Sequence, residues 1–123
     1  MKVADSSYLI EGILRDVSLL ENELFVSPDL ALYEVMNTLW KHESLIKDLK
    51  DSWASLSLFL ELVSVEVVRL VRPDKRLLEE AYSLSRKHRL PTYDTIFIAL
   101  ALELGLELKT YDSKQAAIMS KER

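Results

Sequence analysis

Cysteine is absent from the 123 residues, which excludes disulfide scaffolds, zinc–thiolate sites, iron–sulfur clusters and a thiol nucleophile. Glycine and proline are scarce, at two and three, and the hydrophobic fraction is 49%; this composition belongs to a compact globule, not to a disordered or low-complexity chain. Positive charge is not in excess. Sixteen basic and twenty acidic residues leave a net −4, so bulk charge does not draw the chain to nucleic acid. No stretch approaches the ~18 apolar residues of a membrane span. The most apolar segments, Leu56–Val63 and Thr95–Leu102, are broken within a few residues by Ser, Glu or Asp. The opening Met1-Lys2-Val3-Ala4-Asp5 lacks a signal peptide's apolar run and cleavage site. His42 and His88 are the only histidines and lie far apart, which argues against a histidine-based metal or acid–base site. These absences predict a soluble, cytoplasmic protein with no membrane segment, of a length suited to one domain.

Short apolar stretches alternate with helical patterns. Lys2-Val3-Ala4-Asp5 reads as a buried strand running into a helix, whose apolar residues Leu9, Ile10, Ile13, Leu14 and Val17 follow helical spacing. Glu23–Val26 is a second strand. Ser27-Pro28-Asp29 then supplies an N-cap, a proline at the first helical position and an acid in the first turn, opening a helix that runs to about Lys41. A helical middle is expected from Glu43 to about Val63, with Trp53, Leu56, Leu60 and Val63 on one face, and Val65–Val68 is extended. Pro73-Asp74 and Pro91-Thr92 each start a helix, the second ending at Gly105. Leu106–Thr110 alternates as a strand does. Helices separating short strands predict a three-layer α/β/α sandwich with a short parallel sheet. In such sheets ligands bind beyond the carboxyl ends of the strands.

Four acids fall in those places. Asp5 ends the first strand and Asp112 follows the last; Glu34 lies in the second turn of the helix after the second strand, and Asp94 in the first turn of the Pro91 helix. Each has an ordinary explanation as a cap, a turn residue or an ion-pair partner. Capping does not, however, explain four acids converging on one sheet edge. Carboxylates within a few ångströms of one another are costly without a cation. The ion they suit is hard and oxygen-seeking, magnesium or manganese, which activates water and neutralises phosphodiester oxygens.

Asp5-Ser6-Ser7, Pro28-Asp29-Leu30 with Glu34 and Leu39-Trp40-Lys41, Tyr93-Asp94 with Ala99-Leu100-Ala101, and Thr110-Tyr111-Asp112 resemble, in order, the motifs of the PIN domain, and most of all the VapC toxins of VapBC toxin–antitoxin pairs. The resemblance runs from Val3 to about Ala117. It implies a single PIN-like domain over 1–123 and magnesium- or manganese-dependent cleavage of RNA. Asp5, Asp94 and Asp112 would hold the metal, Glu34 would be the further acid, and Ser6 and Thr110 would be the supporting hydroxyls. It also implies a homodimer silenced by an antitoxin protein; the amphipathic Trp53–Leu62 segment is the expected surface for either contact. Two departures are a last strand for which Ser120–Arg123 leaves little room, and a short segment before Phe25.

Lys41 is the basic residue expected to contact RNA, being on the helix face of Glu34. The run Arg86-Lys87-His88-Arg89 and the looser group Arg69, Arg72, Lys75 and Arg76 read first as a favourable helix terminus and a solvated face. Trp40, Trp53, Phe59 and Phe97 are expected in the core or at a dimer face. The competing reading is a non-catalytic PIN-like scaffold that binds RNA or protein, which has no reason to keep a repulsive cluster. A flap-processing DNA nuclease ranks last, since the chain lacks room for that group's additional helices.

Overall fold

Val3 and Ala4 are fully buried, and the strand they form, β1 (Lys2–Ala4), lies inside a four-stranded sheet in the computed structural model, which describes residues 1–123. The order is β3 (Val68–Val71), β2 (Phe25–Pro28), β1, β4 (Leu108–Lys109), all parallel. Val3 is opposite Val26 on one side and Leu108 on the other, while Val26 is opposite Arg69. Parallel neighbours need crossovers, and helices supply them on both faces. Helices α1 (Ser6–Leu14), α2 (Leu30–Lys41) and α3 (Trp53–Ser64) pack together as one layer. On the other face, α5 (Thr92–Leu104) lies over β1 and β2, flanked by α4 (Lys75–His88) and α6 (Ser113–Glu122). The expected α/β/α sandwich is therefore the observed fold.

Helix α5 is the core helix. Every residue from Thr95 to Ala101 is buried, because a helix covered by a sheet and two helices is apolar all round. Thr95 satisfies its hydroxyl on the Ala81 carbonyl of α4 at 2.8 Å. Gly105, at φ +65°, ends α5 as expected. Gly12 answers to a different constraint: a Cβ there would stand 2.6 Å from Leu20 Cγ, so only hydrogen lets the 3-10 turn Val17–Leu20 close onto α1.

Three expectations change. Ser27 and Pro28 belong to β2 and not to a helix start. The Ser27 hydroxyl is buried and donates to the Ala4 carbonyl at 2.7 Å, so it binds β1 instead of capping, and α2 begins at Leu30. The helical middle is broken. A π-turn over His42–Ile46 ends with Lys47 in the left-handed region at φ 62°, and α3 starts only at Trp53, where Asp51 accepts the Trp53 N–H at 2.9 Å. The third strand lies three residues later than Val65–Val68, because α3 closes through Glu66 at φ 59° with Val67 N–H bonded to the Leu62 carbonyl.

Among the aromatics, Phe59 and Phe97 are core, whereas Trp40 and Trp53 are 51% and 71% exposed. No helix is long and apolar enough to cross a membrane.

Candidate carboxylate site

The carboxyl ends of β1 and β4 are joined by side chains. Asp5 caps α1: its Oδ1 accepts the Tyr8 N–H at 3.0 Å and the Ser7 hydroxyl at 2.7 Å, and its Oδ2 accepts the Thr110 hydroxyl at 2.5 Å. Those three donors let a carboxylate that is 2% exposed remain in the interior. Thr110 and Ser7 each work twice, since they accept the backbone N–H groups of Asp112 and Tyr111 at 2.9 Å. The Tyr111 ring stacks on Tyr8 with centroids 5.7 Å apart.

The other acids approach from three helices. Asp112 caps α6, accepting the N–H groups of Lys114 at 2.8 Å and Gln115 at 3.2 Å. Glu34 reaches in from α2, and its Oε1 accepts the Ser6 hydroxyl at 2.6 Å. Asp94 lies in the first turn of α5 but caps nothing, since Pro91 holds the N-cap position; its Oδ1 faces the Gln115 amide nitrogen at 3.5 Å.

The acids sense one another. Burial pushes the Asp5 carboxyl above the usual aspartate range, opposed by its bonds from Thr110, Ser7 and Tyr8 and reinforced by the charge of Asp112. Burial raises Glu34 too; the Ser6 bond opposes this, and the charges of Asp94 and Asp5 add to it. Asp94 is raised by burial and then by Asp112 and Asp5, against the Gln115 amide and the Lys114 charge. No lysine, arginine or histidine lies within 4.0 Å of any of the four in an ion pair. The structure thus brings together Asp5, Glu34, Asp94 and Asp112 with Ser6 and Thr110. As they stand, no three carboxylates adopt a metal-holding arrangement, each side chain being turned to its own hydrogen-bond donors. The donor set nonetheless fits a hard cation: it is all oxygen, no cationic side chain forms an ion pair with it, and the Gln115 Oε1 beside it is buried with no partner.

Lys41 is not brought to this edge. It lies seven residues beyond Glu34 at the end of α2, about 10 Å further along the helix axis. Arg86–Arg89 are likewise remote, because the 14 residues of α4 carry them about 20 Å from the carboxyl ends of the strands. There Arg86, Lys87 and His88 sit in the last turn of α4, and Lys87 and His88 both hold Glu122 of α6 at 2.8 Å. Two polar residues of the site escaped the sequence reading. Ser7, not Ser6, serves Asp5, and the repeated serine after Asp5 was its signal. Gln115 is 3% exposed and follows Asp112 by one helical turn, a spacing that places it beside the cap.

Residues 3–120 match the PIN domain family. Over 90 residues the chain is 34% identical to a protein named Ribonuclease VapC3 from Pyrobaculum aerophilum, covering 72% of this chain and 66% of that protein, just under two thirds of its length.

Proposed function

The chain belongs to the PIN-domain family, and we propose that it is a magnesium- or manganese-dependent endoribonuclease, the toxin of a toxin–antitoxin pair. The observation that carries this reading is the set of four carboxylates at one sheet edge with no cationic side chain paired to them. The relative from Pyrobaculum aerophilum is named a ribonuclease, which supports RNA as the substrate, and the antitoxin partner follows from the resemblance of the motifs to those of VapC toxins.

Asp5, Asp94 and Asp112 are the residues that would hold the ion, with Glu34 as the further acid. When bound, the ion lowers the pKa of water and neutralises charge on the phosphodiester. The chain's own residues supply order. Thr110 and Ser7 fix Asp5 in one rotamer, and the same two hydroxyls hold the backbone at Tyr111 and Asp112. Ser6 occupies one oxygen of Glu34, which leaves the other free to orient a water molecule. Gln115 links two of the acids, its backbone N–H donating to the Asp112 carboxylate and its side-chain amide facing the Asp94 carboxylate. We assign the protein to the cytoplasm and to a homodimer, with exposed Trp53 and Leu60 on α3 as surface for the second copy or the antitoxin.

The test is cleavage of a labelled structured RNA with manganese, beside a chelator control and an Asp5→Asn protein purified identically. Cleavage by the wild type alone, abolished by chelator, is expected. Equal cleavage by both proteins means a contaminant. Absence of both cleavage and any manganese effect on the melting temperature overturns the reading in favour of the non-cutting scaffold.

A further inference from the structure

Beside the carboxylate edge, where β2 and β3 end and α5 begins, a cleft of about 340 Å³ is lined by Asp29, Leu30, Arg72, Leu78, Tyr93 and Ile96, among others. Its walls are joined by the Asp29 N–H, which donates to the Val71 carbonyl at 2.8 Å. The charged residues in it are uncommitted. Arg72 is exposed and in no ion pair; Asp29 is likewise unpaired and, though placed as the α2 N-cap, makes no side-chain cap bond. Tyr93 is 67% exposed.

The cleft and the acids share one helix turn. Neighbouring residues on a helix diverge by about 100°, so α5 turns Asp94 towards Gln115 of α6 and Tyr93 towards Leu78 of α4. Asp5 ends β1, whereas the cleft sits over the ends of β2 and β3. That offset is one to two strand spacings, roughly 7 Å, within reach of the nucleotide next to one whose phosphate is at the acids.

We infer that this cleft holds the nucleotide adjacent to the scissile phosphodiester, in an unpaired strand. The inference rests on the ribonuclease reading above. The base lies against Tyr93 over the apolar floor of Leu30, Leu78 and Ile96, which requires a base freed from pairing. Arg72 takes the phosphate. Asp29, an acceptor only, takes a base amino group, which cytosine, adenine and guanine carry and uracil lacks. An aromatic, a free guanidinium and a free carboxylate in one cleft favour a nucleotide over an apolar protein segment, which would leave both charges unpaired.

The test uses 5′-labelled single-stranded oligo(C), oligo(A) and oligo(U) RNAs, with binding read by fluorescence anisotropy in calcium and cleavage read in manganese. Tyr93→Ala and Arg72→Gln each weaken binding and raise KM about tenfold, while kcat and the manganese-induced shift in melting temperature stay as in the wild type. Tyr93→Phe restores binding, and Asp29→Asn removes the preference against oligo(U). Tyr93 and Arg72 are exposed and Asp29 is half-buried without a side-chain cap bond, so the variants fold. Wild-type binding and KM in Tyr93→Ala and Arg72→Gln overturn the cleft and leave the ribonuclease reading standing. Loss of the manganese shift in these variants also overturns it, since the effect is then on Asp94. A wild type that neither binds nor cleaves any of these unpaired RNAs overturns the cleft, while the ribonuclease reading is decided separately by the structured RNA and the manganese melts.

Discussion

The Thr110 hydroxyl donates to Asp5 Oδ2 at 2.5 Å across 105 residues of chain, and Thr110 Oγ1 accepts the Asp112 N–H at 2.9 Å. One side chain therefore closes β1 onto β4 and sets the spacing between two acids of the cluster. Thr110→Val keeps the shape and removes both bonds. It should lower stability by about 1–3 kcal/mol, the range for losing a bond to a buried charge. Urea denaturation measures this, and an unchanged midpoint would show that water replaces the hydroxyl without cost.

Asp94 is crowded by like charge and caps nothing. Asp94→Asn should leave the metal-free protein as stable as the wild type or more so, while removing most stabilisation by manganese and with it RNA cleavage. Thermal melts with and without manganese test this. A variant weakened without metal that keeps the manganese shift would make Asp94 a helix-start acid and nothing more.

Glu122 is held below the usual glutamate range by its bonds from Lys87 and His88. A lowered carboxyl pKa contributes stability above the unfolded value, about 4.3, and loses it as pH falls through the lower folded value. Glu122→Gln should therefore cost about 0.5 kcal/mol at pH 7, as exposed pairs do. The two proteins should converge in stability once pH has fallen through the lowered folded value of Glu122. A pH series of urea melts reads the difference, and a constant offset down to pH 2 would contradict the linkage.

Gly12 has no room for a side chain. Alanine gains up to about 1 kcal/mol in helix propensity, but its Cβ would stand 2.6 Å from Leu20 Cγ. Leu20 is buried and cannot swing into solvent. Overpacking of this kind costs about 1–3 kcal/mol, so Gly12→Ala should be net destabilising by roughly 1 kcal/mol. A more stable variant would mean that the 3-10 turn gives way.

Local chemistry was legible in the order of residues. Asp5 caps α1 and Asp112 caps α6, as acids ahead of helices do, and Gly105 stops α5. Where a residue had two good uses, the chain alone did not choose between them. Ser27-Pro28-Asp29 has the form of a helix start, yet a buried Ser27 bonded to Ala4 gains more inside the sheet than at a cap. His42–Ile46 continues a helical pattern, but Glu43 instead accepts the Ser52 N–H at 2.8 Å across a loop.

Lys41 and Glu34 share a stripe, but a shared stripe does not mean a shared end, and the rise of α2 separates them. The order of residues along the chain dictates the alternation of short buried strands and helices, and hence a parallel sheet whose carboxyl edge collects Asp5, Glu34, Asp94 and Asp112. Periodicity and capping act over a few residues, so they can be read in order along the chain. Which hydroxyl serves which acid, the place of Gln115 beside Asp94, and the cleft shared by Asp29, Arg72 and Tyr93 emerge only when the elements pack. Those contacts depend on strand order and on how far each helix carries its residues, which are set by packing between elements distant in sequence.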